Sequence, residues 1–391
     1  MTEAVGTLEA LSRDDVRRVL AALLRDVVRR RHGSVMAGRL WRLDFNDETL
    51  LGEDGVGLDS LALIAACSRV GSFFGLGQLG LDDYLLLGQR LGDWVDLVHD
   101  ARAHITEIEF QTSGTTGTAK KVRHSVSALW EEASLRSLLP GCGIVLSTVP
   151  CCHAYGFIFS VLAVRQRQRT VIEAQPASTA PILWREHGID TVLAVPELLQ
   201  DERIKGIFHD STRERALTIV CSGSPLHDDA WARFSSKGNG LLIDVYGASE
   251  SLGIGRRFGS GAYELLPHRR WSSDNSSRIE DHSGIPLPVQ DLLIRYGKEF
   301  FLGPRLDGKI NRAGLLIDID DARKRVHSVG AKAEICCDLI SVDGGDELLL
   351  RVCPPALTDG QGLPQRDLDE RIRTVINALP PEARPTRVEL G

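Results

Sequence analysis

The chain has no apolar run of the roughly 20 residues that a membrane-crossing helix needs. Its first residues, MTEAVGTLEALSRDD, carry acids where a secretory leader would carry an apolar segment. A membrane is therefore not an expected partner. Basic charge is also in deficit: 46 Lys and Arg against 53 Asp and Glu give a formal charge of −7, and a general nucleic-acid binder would show the opposite balance. Eight cysteines occur without a CxxC or a Cys/His zinc spacing. Cys151–Cys152 and Cys336–Cys337 are adjacent pairs, read as reduced, mostly buried thiols of a cytoplasmic protein. Internal repeats and low-complexity tracts are missing too.

What is present is the composition of an ordinary globular protein, 43% hydrophobic and 25% charged over 391 residues. That length implies two or three domains. Residues 11–32 read as a helix, with Val16, Leu20, Leu23, Leu24 and Val27 at helical spacing. A second helix is expected from about Asp59 to Phe74, and LDDYLLL and LGDWVDLVHDAR add further helical segments. After His104 short apolar strands alternate with helices: GIVLSTVP, RTVIEA, DTVLAVP, LTIVCSG and GLLIDVYG. Such alternation predicts an α/β fold with a mostly parallel sheet and functional loops at the strand ends. The expected division is a helical domain over 1–103, an α/β core over 104–302 and a small α/β domain over 303–391.

TSGTTGTAKK, Thr112 to Lys121, leaves a predicted strand with two glycines, five hydroxyls and two lysines. Glycines let backbone N–H groups approach phosphate oxygens, hydroxyls add donors, and Lys120 adds charge. The Walker A spacing fails. The alternative is a solvated Gly/Thr turn.

With three further segments, this stretch resembles the adenylate-forming superfamily of acyl-CoA synthetases, aryl-CoA ligases and adenylation domains. The family's phosphate loop reads [ST]-S-G-[ST]-T-G-x-P-K, and Thr112–Lys120 match it except that Ala119 replaces proline. VPCCHAYGF resembles the family's Pro-x-x-His-x-x-Gly segment through His153 and Gly156; CSGSPL resembles the stretch beside adenine and the acyl group, Ser222 to Leu226. DVYGASE resembles the Tyr-Gly-x-Thr-Glu motif, with Ser249 in place of threonine. The resemblance implies that ATP and Mg²⁺ serve to activate a carboxylic acid as its adenylate. Thr112, Ser113, Gly114, Thr115, Thr116, Gly117 and Lys120 would hold the β- and γ-phosphates, and Glu250 would hold Mg²⁺. Ser249 would touch the α-phosphate, with Gly247 beside it. Tyr246 would stack on adenine, and Ser222, Gly223 and Ser224 would pass the adenine and acyl pocket. His153 would sit beside the acyl carboxylate, the alternative being a satisfied core histidine. GPRLDGKINRAG fits the family's hinge through Arg305, Asp307, Ile310 and Gly314, about which a C-terminal domain rotates. Asp291 lies where a ribose-binding aspartate is expected, or is a surface residue.

Two departures from the family accompany the match. The family's adenylation lysine lies in a segment beyond LPPEARPTRVEL, so the expectation is that the C-terminal domain is truncated, or that another cation such as Lys309 or Lys332 does the work, or that adenylation is slow. Residues 10–100, with Asp59-Ser60-Leu61 at a helix start, resemble an acyl carrier protein, which carries phosphopantetheine on serine; a helix start suits a phosphodiester. The alternative is a structural cap, with Leu61, Ile64, Ala65 and Phe73 packed inward. The expected activity is an AMP-forming acid–thiol ligase. The acceptor thiol would be CoA or phosphopantetheine on an acyl carrier protein, either the chain's own N-terminal domain or a separate one. The rivals are an ordinary CoA ligase with a structural helical domain and a catalytically weak scaffold that binds nucleotide or acyl groups. Lys120→Ala is expected to weaken acid-dependent ATP–pyrophosphate exchange far more than it lowers thermal stability. Equal losses would make the loop a structural turn.

Overall fold

The computed structural model describes residues 6–40, 45–112, 120–174, 180, 183, 188–200, 217–224, 226, 231–232, 234, 240–273, 278–306, 309–312, 315–318, 334–342, 345–353 and 387–390. They fall into two compact units. The first takes in Met1–Thr112, Ala119–Val289 and Arg295–Phe300, and the second Gln290–Ile294 and Phe301–Gly391.

The first unit opens with α1 (Arg13–Leu40), α2 (Ser60–Phe74) and α3 (Leu91–Ala101). Ser12 starts α1 with a reciprocal cap: its Oγ accepts from the Asp15 amide at 3.2 Å, and its own amide donates to Asp15 Oδ2 at 3.0 Å. Asp59 caps α2 by accepting from the Ala62 amide at 2.7 Å, and Gly75, at φ 64°, ends it in the left-handed region. Ala62, Ala66, Val70, Phe73 and Phe74 are the buried stripe of α2. Leu61 and Ile64 are 65% and 54% exposed, so those two do not pack inward as the capping alternative had them.

Residues 1–103, expected as a domain of their own, share one hydrophobic core with the α/β part. The Phe73 ring meets Phe110 and Phe157 edge-on, each with centroids 5.6 Å away. Arg18 on α1 pairs with Glu173 at 2.9 Å, and Trp130 donates to the Thr7 carbonyl at 3.0 Å. Three helices with a broad apolar stripe need a covering layer. Here the α/β part supplies it.

Next come the hairpin β1 (Glu107–Thr112) and β2 (Lys120–Ser125), which is antiparallel, then α4 (Val126–Ala133). The main sheet of this unit uses β3 (Ile144–Ser147), β4 (Val171–Glu173), β5 (Ile189–Ala194), β6 (Thr218–Cys221), β7 (Leu241–Ala248), β8 (Leu252–Arg257) and β9 (Tyr263–Leu265). From one edge the order is β4-β3-β5-β6-β7-β8-β9, and β9 pairs with Glu299–Phe300. The run β4 to β7 is parallel, whereas β7–β8 and β8–β9 are antiparallel. The sheet is thus mixed rather than mostly parallel. The reason is chain length: the short turn from Ala248 to Leu252 permits a hairpin but not a crossover. Alternate residues of the parallel strands face two cores. Val145, Leu193, Val220 and Ile243 face the helical side; Leu146, Val192, Ile219 and Leu242 face the other.

The remaining strands are short or belong to the second unit. Arg269–Trp271 (β10) pairs with Ile279–Asp281 (β11). Asp291 opens β12 (Asp291–Tyr296) and Arg305 closes β13 (Glu299–Arg305). In the second unit β14 (Lys309–Arg312) and β15 (Leu315–Asp318) form a hairpin. There β16 (Glu334–Val342) lies antiparallel to β17 (Gly345–Cys353), and β17 lies parallel to β18 (Arg387–Leu390). No helix among the described residues is long and apolar enough to cross a membrane. Phe73→Ala empties the contact between α2 and the α/β core and is expected to cost about 3–5 kcal/mol in denaturant melts. Fluorescence and circular dichroism should still report one coincident transition for this unit.

Candidate active site

The β1–β2 hairpin sets Thr112 opposite Lys120, so it holds both ends of the intervening loop in register. Ser113, Gly114, Thr115, Thr116 and Gly117 lie outside the described residues, as do Asp307 and Lys332. Lys120 reaches across to the turn after β7, where its Nζ donates to Glu250 Oε1 at 2.8 Å. The ammonium is 59% exposed and the carboxylate 21%, so the pair is open to a ligand that would compete for either charge. Two residues along from Lys121, on β2, Arg123 donates to the buried Glu109 at 3.0 Å.

The Ala248–Gly253 turn is unusual in its backbone. β7 and β8 slip register at Tyr246/Gly247, and Leu252 has φ 60°, a region that few residues other than glycine adopt. A Cβ on Gly247 would lie 2.3 Å from the Leu252 carbonyl oxygen, so only glycine fits. Side chains from three other elements hold the turn. His124 on β2 lies with Nε2 2.5 Å from the Ser249 carbonyl, which requires the proton on Nε2. Glu132 on α4 accepts from the Gly253 amide at 2.8 Å. Arg269 on β10 donates to the carbonyls of Gly253 at 2.8 Å and Ser251 at 3.2 Å. Ser251 Oγ accepts from the Ala248 amide at 3.3 Å.

Beside this turn lies a cavity of about 150 Å³. One wall is the helical stretch of Ala154–Gly156 and the π-helical Phe157–Leu162, which presents Ala154, Tyr155, Ile158 and Phe159. The ends of β6 and β7 supply Ser222, Gly223, Val245, Gly247, Ala248 and Ser249, and Leu252, Gly253 and Glu132 also line it. Ser222 donates to the Val245 carbonyl at 2.8 Å, and Tyr155 donates to the Val220 carbonyl at 2.6 Å. Gly223 sits at φ 108°, where a side chain would be strained. Ser224 turns away to Glu197 at 2.5 Å.

The structure therefore brings together Lys120, Ser222, Gly223, Gly247, Ser249 and Glu250. Tyr246 packs its ring near Tyr263 and Phe300, with centroids 5.7 and 5.9 Å away. Asp291 and Arg305 belong to the second unit. His153 is not among the residues lining the cavity; its charged neighbours are Asp26, Arg29, Arg30 and Arg69, and burial lowers its pKa. Gly156 in the same motif has a packing reason, since a Cβ there would meet the Pro150 carbonyl oxygen at 2.2 Å. Ser60 is exposed at the start of α2. Sequence reading passed over Tyr155, His124, Glu132 and Arg269. Only Tyr155 had a signal, through its spacing with Ile158 and Phe159 on one helix face.

Burial governs the titratable groups here. It raises the Glu132 carboxyl above the usual range, with the Gly253 amide opposing, and it lowers His124. His268 is pushed down to about 3 by burial and the adjoining Arg269. Among the described residues no three His, Cys, Asp or Glu gather to hold a metal. A hard divalent cation at Glu250 would thus need phosphate oxygens from a ligand, which such an ion accepts readily.

A family model described as AMP-binding enzyme matches residues 110–299. A 4-coumarate–CoA ligase from Halorhodospira halophila is 30% identical over 398 residues, covering 98% of this chain and 97% of that protein. Another, from Rhodobacter capsulatus, is 30% identical over 391 residues, with 96% of each covered. Among solved structures, the amide bond synthetase McbA from Marinactinospora thermotolerans superposes with TM-score 0.52 at 15% identity, over 96% of this chain and 90% of that one. An o-succinylbenzoate CoA synthetase from Bacillus subtilis gives TM-score 0.53 at 16% identity, over 72% and 65%. Those two likenesses concern the fold.

Stability should fall on acidification through His268. Its folded pKa lies below the unfolded value near 6.5, so the unfolded chain takes up the proton first, and stability present above that value is lost toward pH 3. His268→Leu is expected to flatten the acid limb of denaturation by about 1 kcal/mol per pH unit between pH 6 and 4. An unchanged limb would mean the ring titrates normally.

Proposed function

Because the chain belongs to the AMP-binding enzyme family and is an AMP-forming acid–thiol ligase, we propose that it activates a planar aromatic acid of the phenylpropenoic kind and passes the acyl group to CoA. The cavity carries this reading. Its volume of about 150 Å³ is of the order that holds one benzene-sized ring. Its lining includes the rings of Tyr155 and Phe159, the aliphatic side chains of Ile158, Val245 and Leu252, and the glycines Gly223, Gly247 and Gly253. A flat ring suits such a slot, and a long alkyl chain does not. The names of the two bacterial relatives, both 4-coumarate–CoA ligases, point the same way.

In this reading the carboxylate lies beside Ser249 and attacks the α-phosphorus of ATP, with pyrophosphate leaving. The acceptor thiol then attacks the acyl carbon and AMP leaves. Catalysis in such a step is positioning and charge neutralisation. Lys120 and the loop of Ser113, Gly114, Thr115, Thr116 and Gly117, anchored by Thr112, would grip the departing phosphates. Glu250 would hold Mg²⁺, which when bound offsets phosphate charge. The open Lys120–Glu250 pair suits both roles, since each charge is held in place yet exchangeable. Tyr246 and Ser222–Ser224 would border adenine, Asp291 and Arg305 the ribose and phosphates, and Asp307 would act as hinge. His153 would act only after a local rearrangement that turns it from Asp26 toward the acyl group.

A phosphopantetheine thiol on Ser60 is the second reading for the acceptor. Ser60 is exposed and has the exposed apolar side chains of Leu61 and Ile64 beside it, an arrangement a carrier-modifying enzyme could grip. Incubation with ATP, Mg²⁺, CoA and a panel of aryl and alkyl acids should yield aryl-CoA, measured by absorbance and mass. An alkyl preference, or no acid-dependent pyrophosphate exchange at all, would refute the aromatic reading. Intact mass after treatment with CoA and a phosphopantetheinyl transferase should stay unchanged if CoA is the acceptor. A phosphopantetheine adduct on Ser60 would favour the carrier reading instead.

A further inference from the structure

Among the described residues the cavity wall holds one charged side chain, Glu132, and it is 2% exposed. Its two oxygens are used unequally. Oε2 accepts from the Gly253 amide at 2.8 Å and faces Arg269 Nη2 at 3.8 Å and His268 Nε2 at 3.9 Å. Oε1 makes no hydrogen bond among the described residues. Holding the turn needs one acceptor oxygen, which a glutamine would supply without the desolvation of a charge. The turn therefore explains Oε2 and leaves Oε1 over.

Gly253 gives the second observation. A Cβ at that position would stand 2.7 Å from Glu132 Oε1 and 2.8 Å from Leu266 Cδ1. The glycine keeps the surface around Oε1 clear on a face that itself lines the cavity. A carboxylate oxygen with no hydrogen bond among the described residues, on a side chain that lines a ring-sized space, can accept from a ligand donor. Arg269 Nη2, 3.8 Å from Oε2, opposes the burial that raises this carboxyl and does so without occupying Oε1.

We infer that Glu132 is a specificity-determining residue, whose Oε1 accepts a hydrogen bond from a ring hydroxyl of the aromatic acid. This rests on the aromatic-acid reading above. A buried acceptor that is left unpaired when the hydroxyl is missing discriminates against the acid that lacks it. Bonds to charged groups set the scale at roughly ten- to hundredfold. The Glu132 oxygen would select for donors: a hydroxyl or amine on the ring, and not an ether or a bare edge.

The test compares kcat/KM for 4-hydroxycinnamate and cinnamate in pyrophosphate exchange. The wild-type protein should prefer the hydroxylated acid by tenfold or more. In Glu132→Gln, which can still accept from Gly253 while turning its NH₂ toward the cavity, the ratio should fall at least tenfold. Equal use of both acids by the wild type would overturn the inference and leave the aromatic reading standing. Use of neither acid would overturn both. A variant that loses both acids in proportion would assign Glu132 to the turn alone. Should the variant fail to fold, the wild-type ratio still decides, and so does the wild-type shift in Tm with each acid's non-hydrolysable adenylate: equal shifts refute the role.

Discussion

The turn from Ala248 to Gly253 is the constraint on which the site depends. It places Ser249 and Glu250 at the end of a parallel strand and at once reverses the chain into an antiparallel neighbour. That reversal puts Leu252 at φ 60°, a conformation costing on the order of 1–2 kcal/mol for a residue with a side chain. His124, Glu132 and Arg269, from three separate elements, bind its carbonyls and amide. The turn is thus set by hydrogen bonds to long-range partners, and Ser249 and Glu250 are held in place by the fold itself. Preorganised donors and acceptors of this kind are what charge-stabilising catalysis requires.

The same turn divides the sheet. On one side of it β4 to β7 are parallel, and the central strands β3, β5 and β6 are buried on both faces, which is why their sequences read as near-continuous apolar runs. On the other side short connections give antiparallel strands. Ligand sites of open α/β sheets lie beyond the carboxyl ends of the strands, and the cavity lies there, at the ends of β6 and β7. The N-terminal helices belong to this arrangement rather than standing apart from it. Phe73 and Phe110 pack against Phe157, and Phe157 begins the π-helical wall of the cavity. Those helices therefore buttress the cavity wall through aromatic contacts.

How far the site could be read from the chain varied with the kind of signal. Lys120, Ser249 and Glu250 stood in contiguous motifs whose residue types follow from phosphate chemistry, and the tertiary structure brings them together. Gly156, Gly223 and Gly247 were legible as motif letters, and their steric reasons came only with the backbone. His153 shared a motif with Gly156, yet its surroundings are charged groups of α1 and α2 rather than the cavity. Its neighbour Tyr155 takes the wall position instead. Motif membership names a segment, and the local backbone, extended at His153 and helical from Ala154, decides which of its side chains faces the cavity.

By itself the sequence determined the α/β class, the strand–helix alternation and the acid just after β7. These are local properties, set by periodicity and by residue type within a few positions. Only the tertiary structure decided that the helical first hundred residues share the core, that the sheet turns antiparallel after β7, and that Glu132 stands in the cavity wall. Glu132 and Gly253 are 121 residues apart in the chain yet joined by a hydrogen bond of 2.8 Å. A buried charge of that kind leaves no periodic trace, because its meaning lies in the partners that folding brings to it.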